Sequence, residues 1–161
     1  MLIIRKEHCN DYPSIELITK QAFHRNSDYS NKERLTLKKL RQNQLFTFAL
    51  VAEYKKNIVA HIAIASVLIN GKKANVFTIT SLAVLPKYQG KGIASKLVKM
   101  VLSRLAKGKA HCCVLVGEPK FYQRLGFSVE NNLTYQGAPK EYLQSFYFET
   151  KKIQGKLTFS T

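Results

Sequence analysis

The chain has 161 residues, of which 45% are hydrophobic, and its 26 basic and 10 acidic side chains give a formal charge of +16. This length and apolar content predict one globular domain over residues 1–161 and exclude a disordered chain. Met1–Ile4 runs directly into charged residues and does not resemble the apolar region of a secretory signal. The longest apolar run, Ile58–Ile69, is too short to cross a bilayer. We therefore expect a cytoplasmic protein with no membrane segment.

The charge indicates which ligands the chain could attract, and the cysteines indicate whether disulfides or a metal site are expected. A strongly basic chain favours anionic partners, nucleic acid among them, through long-range attraction. The basic residues are scattered over predicted turns, however, which is also typical of solvated loops. The cysteines are Cys9, Cys112 and Cys113, and an odd number with two adjacent does not form a disulfide framework. No cysteine–histidine cluster has the spacing of a zinc site, so the sequence predicts no metal.

Hydrophobic periodicity predicts strands and helices that alternate along the whole chain. The predicted elements, in order, are strand Leu2–Arg5, a helix starting at Asp11 and Pro13, helix Lys32–Asn43, strands Phe46–Glu53, Ile58–Ile69 and Val76–Leu85, helix Gly90–Ala106, strand Cys112–Val116, helix Pro119–Leu125, a strand starting at Phe127, and strands Tyr142–Thr150 and Gly155–Phe159. This pattern belongs to the α/β (α+β) class, and it shows no internal repeat or interdomain linker.

Two connections define the predicted sheet topology. The dipeptide Asn70–Gly71 is typical of a two-residue hairpin, because both residues tolerate positive φ. Residues 46–85 should therefore form an antiparallel meander. The following helix returns the chain, so strand Cys112–Val116 should lie parallel to its predecessor after a right-handed crossover. The sheet is then mixed but mostly antiparallel.

A glycine-rich turn joins the central strand to the long helix. It reads Gln89-Gly90-Lys91-Gly92-Ile93-Ala94 and is followed by Ser95. The first turn of a helix has free N–H groups and a partial positive charge, the two glycines remove Cβ atoms, and Lys91 adds a formal charge. These features predict a diphosphate cradle. The Walker A pattern is absent, and Ser95 does not fit the dinucleotide fingerprint. An ordinary turn that caps a core helix remains the alternative.

Two ordered motifs resemble the GNAT N-acetyltransferase superfamily. The first is the Gln-x-x-Gly-x-Ala turn after Leu82-Ala83-Val84. The second is Val114–Pro119 followed by Phe121-Tyr122-Gln123-Arg124-Leu125-Gly126-Phe127. The form Gly-Glu-Pro-x-Phe-Tyr resembles the YhbS-like subtype of predicted acetyltransferases. The resemblance extends over residues 49–127. It implies the GNAT fold, a twisted mixed sheet of about seven strands flanked by about four helices.

The same resemblance implies acetyl-CoA as the acetyl donor and assigns residues to bind it. In this family the central strand and the strand after the helix splay apart, and the pantetheine arm enters the gap. The backbone groups of Leu82, Ala83 and Val84 would bind this arm. The amides of Gln89, Gly90, Lys91, Gly92, Ile93, Ala94 and Ser95 would hold the pyrophosphate.

The implied reaction is direct attack of a primary amine, on a small molecule or on a protein or peptide, on the thioester. Tyr122 matches the family's tyrosine acid, and its ordinary pKa near 10 keeps it protonated and able to donate to the leaving thiolate. The N–H of Val84 would stabilise the oxyanion. A core aromatic beside Phe121 and Phe127 is the alternative reading of Tyr122.

The general base and the partner are left open by the sequence. Glu53, Glu118 and His61 are candidate bases. Glu118 also fits a helix start, His61 also fits a satisfied core histidine, and water is the fourth candidate. A second class of function is a non-catalytic acyl-CoA-binding or nucleic-acid-interacting module on the same fold. The retained turn and Tyr122 favour catalysis, and no RNP-type recognition pattern is present. The terminal strands at 142–159 are candidates for pairing in a homodimer.

Overall fold

The computed structural model describes residues 1–22, 38–42 and 46–159, and every structural statement below concerns these residues. They contain nine strands and four helices, with short 3-10 turns between some of them. In chain order these are β1 (Leu2–Lys6), α1 (Tyr12–Ala22), α2 (residues 38–42), β2 (Phe46–Tyr54), β3 (Asn57–Ile69), β4 (Lys72–Val84), α3 (Ile93–Lys107), β5 (Cys112–Val116), α4 (Pro119–Gln123), β6 (Ser128–Val129), β7 (Leu133–Tyr135), β8 (Leu143–Tyr147) and β9 (Gly155–Phe159).

The described residues divide into two compact units. The first unit comprises Met1–Ile64 and Thr80–Val98, and the second comprises Ala65–Ile79 and Lys99–Thr161. Strands β3 and β4 and helix α3 each begin in one unit and end in the other. The single domain expected from the sequence stays a prediction.

The first unit is built on neighbouring strands in the order β1-β2-β3-β4. Strands β1 and β2 are antiparallel, with Leu2 opposite Tyr54. A turn at Lys55 and Lys56, with φ of 49° and 66°, joins β2 to β3; both values are left-handed, as a tight two-residue hairpin requires. The core of the first unit consists of apolar side chains that are buried from solvent; examples are Ile15, Ile18, Leu50, Val51, Ile62 and Leu97.

In the second unit β5 lies between β4 and β8, and β6 lies beside β8. Strands β4 and β5 are parallel over Val76–Thr78 and Cys112–Val114, as the crossover predicts. Strand β9 pairs antiparallel with β3 and parallel with β7. The buried cluster of this unit consists of Val67, Ile69, Val76, Cys112, Val114, Leu133, Leu143 and Leu157.

Most predicted elements are confirmed, with shifted ends that have local causes. The hairpin at Asn70 and Gly71 is present, with φ of 51° and 78°. Strand β4 begins at Lys72, directly after this turn, rather than at Val76. Helix α3 begins at Ile93 rather than Gly90, because Gly90 and Gly92 have φ of 76° and 82° and cannot be helical.

The C-terminal third differs most from prediction. Strand β8 starts after Tyr142, whose amide closes a 3-10 turn on Pro139 at 3.1 Å. The short β7 was not predicted, because three residues are too few for a detectable alternation. Of the predicted helix Lys32–Asn43, residues 38–42 are helical and the rest lies outside the described residues. No helix in the described ranges has the length and apolar character needed to cross a membrane.

Candidate active site

The end of β4 presents backbone groups at the edge that faces away from β3. The amide of Leu85 donates to the carbonyl of Val59 on β3 at 2.9 Å. Successive residues of an extended strand direct their N–H and C=O groups to opposite edges. The backbone groups of Leu82 and Val84 therefore face the other edge of β4, and those of Ala83 face β3. An extended chain placed along that edge could form backbone hydrogen bonds at these two alternate residues.

A side chain closes the turn onto this strand end. The amide Nε2 of Gln89 donates to the carbonyl oxygen of Val84 at 2.9 Å, while the amide of Tyr88 donates to the carbonyl of Leu85 at 2.8 Å. The backbone of Gln89 itself is extended. The strand end and the glycine-rich turn are therefore held together by hydrogen bonds.

The glycines of the turn leave the helix N-terminus open. A Cβ atom added at Gly90 or Gly92 would meet no atom within 4 Å. The first backbone bond within the helix runs from the amide of Lys96 to the carbonyl of Gly92 at 3.1 Å. The amides of Ile93, Ala94 and Ser95 precede that bond, so they belong to the first turn, whose N–H groups have no acceptor inside the helix. This is the geometry that binds anions.

Two lysines lie close to the Tyr88 ring beside the turn. The ammonium group of Lys91 lies 5.5 Å from the centre of the Tyr88 ring, and that of Lys87 lies 5.8 Å from it. The sequence has no acidic residue between Glu53 and Glu118. The segment that contains the turn therefore contributes positive charge and no negative charge.

Tyr122 lies in the second unit, on the short helix α4. Glu118 is the N-cap residue of α4, and its carboxylate accepts from the amide of Lys120 at 3.3 Å; Pro119 begins the first turn. The Tyr122 side chain is buried, and its ring packs edge-on against Phe121 at 4.8 Å and Phe127 at 5.6 Å. The predicted aromatic environment is therefore present. Tyr122 as proton donor stays a prediction.

The three candidate bases have structural partners. The carboxylate of Glu53 lies 3.5 Å from Arg5 Nη2, and Glu118 caps α4. His61 is fully buried, with its Nε2 atom 2.9 Å from Glu7 Oε1. Its Nδ1 atom has no hydrogen-bond partner within the described residues. His61 is therefore buried as predicted for a core histidine, but only one of its two ring nitrogens has a hydrogen-bond partner among the described residues.

Glu7 and Arg41 complete a cluster that the sequence analysis missed. Both guanidinium Nη atoms of Arg41 bond the Glu7 carboxylate, with Nη2 at 2.9 Å from Oε1. Burial raises the pKa of Glu7, but hydrogen bonds from His61 and Arg41 outweigh it and lower the pKa to about 2. Burial lowers the pKa of His61. Because the Glu7 carboxylate is ionised and can only accept, the tautomer that fits this contact has its proton on Nε2. These residues lie far apart in sequence, which is why no spacing pattern revealed them.

Two of the three cysteines are buried, which disfavours their thiolate forms. Cys112 and Cys113 are buried, and burial raises the pKa of Cys112 to about 12 and raises that of Cys113 as well. The described residues contain no group of three or more histidine, cysteine or acidic side chains suited to a metal ion. The structure thus brings Val84 and Gln89–Ser95 together in the first unit and places Tyr122 among aromatic rings in the second.

Comparisons with known proteins define the class of this site. The family model described as "Acetyltransferase (GNAT) domain" matches residues 46–129, which include the turn and Tyr122. The chain therefore belongs to the GNAT superfamily of acetyltransferases. It is an acetyltransferase by fold and by family, as the two sequence motifs predicted.

Several relatives are similar over most of their length. The uncharacterized N-acetyltransferase YhbS of Escherichia coli K12 is 29% identical over 129 residues, which is 80% of this chain and 74% of YhbS. A Brucella melitensis GNAT acetyltransferase in complex with acetyl-CoA is 31% identical, with a TM-score of 0.86 over 99% of this chain and 96% of that one. The Escherichia coli YhbS structure in complex with CoA has 25% identity and a TM-score of 0.88, over 99% and 89%.

Proposed function

We propose that this protein transfers an acetyl group from acetyl-CoA to a primary amine by direct attack of the amine on the thioester. The observation that carries the proposal is the hydrogen bond from Gln89 to the carbonyl of Val84, which joins the strand end to the turn. In that turn, Gly90 and Gly92 leave free space in front of the amides of α3. The Brucella melitensis and Escherichia coli relatives were crystallised with acetyl-CoA and CoA, respectively. The donor supplies the activated acetyl group, and the protein supplies binding and orientation.

The residues of the chain fit this donor in two places. The amides in the first turn of α3, with Lys91, would hold the pyrophosphate, because N–H groups and a helix dipole both favour negative charge there. The pantetheine arm is an extended chain with amide groups, and it would pair with the outward-facing backbone of Leu82, which leaves the N–H of Val84 for the thioester. Ala83 would contribute little to that pairing, because its backbone groups face β3.

The protein must also place a proton donor and stabilise charge. We propose that the N–H of Val84 donates to the carbonyl oxygen as negative charge develops, and that Tyr122 gives its proton to the departing thiolate. Since Glu53, Glu118 and His61 each have a structural partner, we propose that the amine loses its proton to water. A neutral or acidic acceptor fits a chain of charge +16 better than a cationic one.

Thermal unfolding with acetyl-CoA, CoA and short RNA, at low and moderate salt, tests donor binding. Ligand at about 100 times Kd stabilises by about 2.7 kcal/mol, which should raise the Tm by several degrees. The rise with acetyl-CoA should persist at moderate salt. A salt-sensitive rise with RNA alone would instead support the alternative of a nucleic-acid-binding module, because phosphate contacts weaken steeply with salt.

Transfer itself is tested by chromatographic measurement of CoA release with a panel of amines. The panel should contain cationic, neutral and acidic amines and N-terminal peptides of matched length. Amine-dependent release supports the proposal, and binding of acetyl-CoA with no release above the water blank for any amine would contradict it.

A further inference from the structure

Gly117, directly after β5, lies against the ring of Tyr122. A Cβ atom built at Gly117 would be 2.6 Å from Tyr122 Cε2 and 3.2 Å from Cδ2. Contacts under 3.0 Å are essentially absent among real Cβ atoms, so an alanine at this position requires the ring to move. The φ of Gly117 is outside the left-handed region, so the backbone alone would accept another residue. The glycine is therefore required by the ring and not by the chain conformation.

The backbone of Gly117 is held on both of its polar groups. Its amide donates to the carbonyl of Tyr142 at 3.0 Å, and its carbonyl accepts from Gln144 Nε2 at 2.9 Å. Gln144 is fully buried on β8, opposite Leu115 of β5. Its Nε2 also lies 3.4 Å from the carbonyl of Tyr142, so two carbonyl oxygens fix the orientation of the amide. The surface beneath the tyrosine ring is consequently fixed in position.

Two aromatic residues and the backbone also contact Tyr122. Phe121 and Phe127 pack against Tyr122 at interplanar angles of 82° and 70°. The amide of Phe127 donates to the carbonyl of Tyr122 at 3.1 Å, which ties the end of α4 to the next strand. Gly117, Phe121 and Phe127 therefore restrict the orientation of the ring plane, and with it the line along which the hydroxyl group points.

We propose that Gly117, clamped by Gln144, is a positioning residue that seats Tyr122 so that its hydroxyl is directed for proton transfer. This inference rests on the proposed function, since it assigns to Tyr122 the donor role in acetyl transfer. A proton donor is effective only within hydrogen-bond reach of its target, and shifts of about 1 Å are costly. The side chain of an alanine would impose a shift of that size.

The test compares Gly117→Ala, Tyr122→Phe and the double variant. Gly117→Ala should lower kcat at least tenfold while KM for acetyl-CoA stays within twofold. In the Tyr122→Phe background the same change should have no further effect on kcat, because the displaced hydroxyl is already gone. The matched control is Gly108→Ala, whose Cβ would make ordinary contacts of 3.5 and 3.6 Å, and it should keep wild-type kcat. Independent, multiplying losses in the double variant would overturn the proposal.

A readout without catalysis separates this proposal from the proposed function. With ring-labelled tyrosine, the NMR signal missing in Tyr122→Phe identifies Tyr122. Gly117→Ala should move this signal, and Gly108→Ala should not. If Gly117→Ala does not fold, Gln144→Met removes the clamp at similar volume and should move the same signal and lower kcat. An unmoved Tyr122 signal in both variants would overturn the seating of the ring. Absence of acetyl transfer by wild type would overturn the proposed function, and with it the donor role of Tyr122, but not the seating.

Discussion

The side-chain amide of Gln89 reaches back across the turn and donates to the carbonyl oxygen of Val84, 2.9 Å away. Val84 is the last residue of β4, and its backbone faces the edge away from β3, so the bond orients the proposed thioester-binding residue. The same bond holds the turn whose amides would bind the pyrophosphate. One side chain therefore links the two parts of the proposed donor site that lie in the first unit.

Gln89→Ala should weaken donor binding by loosening this turn. A hydrogen bond of this kind contributes about 1 kcal/mol, which corresponds to a roughly fivefold higher Kd for acetyl-CoA. Gln89→Glu should weaken binding further, because a carboxylate cannot donate to the carbonyl and repels phosphate. Isothermal titration measures both. Gln136→Ala, at an exposed site, is the control, and an unchanged Kd for both Gln89 variants would refute the role of this bond.

Tyr122→Phe should leave donor binding intact and slow the reaction. General-acid catalysis contributes about 10²- to 10⁴-fold, so kcat should fall within that range while KM for acetyl-CoA changes little. Steady-state kinetics with the best amine of the panel measures both. Tyr135→Phe, which removes a hydroxyl from a ring packed on Phe159, should keep wild-type kcat. Wild-type turnover in Tyr122→Phe would remove Tyr122 from the mechanism.

The three cysteines should react very differently with alkylating reagents. Cys9 is exposed, whereas Cys112 and Cys113 are buried with raised pKa values, so their reactive thiolate forms are suppressed. Iodoacetamide at pH 8 should add one label per folded chain and three after unfolding, as measured by intact mass. Rapid addition of a second label to the folded protein would show that β5 opens. Cys9 also makes thiol-reactive dyes unsuitable for following CoA release.

The sequence predicted the glycine-rich turn and the helix that follows it because their signals are local. The turn at Gln89–Ser95 depends on glycines, a lysine and a helix start, all of which are adjacent in the chain. The Tyr122 environment was similarly visible from Phe121 and Phe127. The contact between Gly117 and Tyr122 was not visible in the sequence, because it depends on where the tyrosine ring packs in the folded chain. The same holds for Glu7, Arg41 and His61, which meet only through tertiary structure.

The Glu7 cluster should make stability depend on acid pH. The pKa of Glu7 is about 2 in the folded state against an ordinary 4.5. As the pH falls, Glu7 therefore takes up its proton at a higher pH in the unfolded chain than in the folded chain, and this favours unfolding. The stabilisation is complete above about pH 5, is lost between about pH 5 and 2, and amounts to at most about 3 kcal/mol. The lowered pKa of His61 acts in the same direction, with loss of stability beginning near its ordinary 6.5.

Glu7→Gln should therefore lower the free energy of unfolding at pH 7 by about 3 kcal/mol, since it leaves Arg41 without its carboxylate. Its stability should then fall less steeply than that of wild type between pH 5 and 3, so the two proteins converge on acidification. Urea unfolding at pH 7, 5, 4 and 3 measures this. Glu141→Gln, at an exposed carboxylate, should follow the wild-type curve at every pH. Parallel curves for wild type and Glu7→Gln would mean that another carboxylate carries the acid sensitivity.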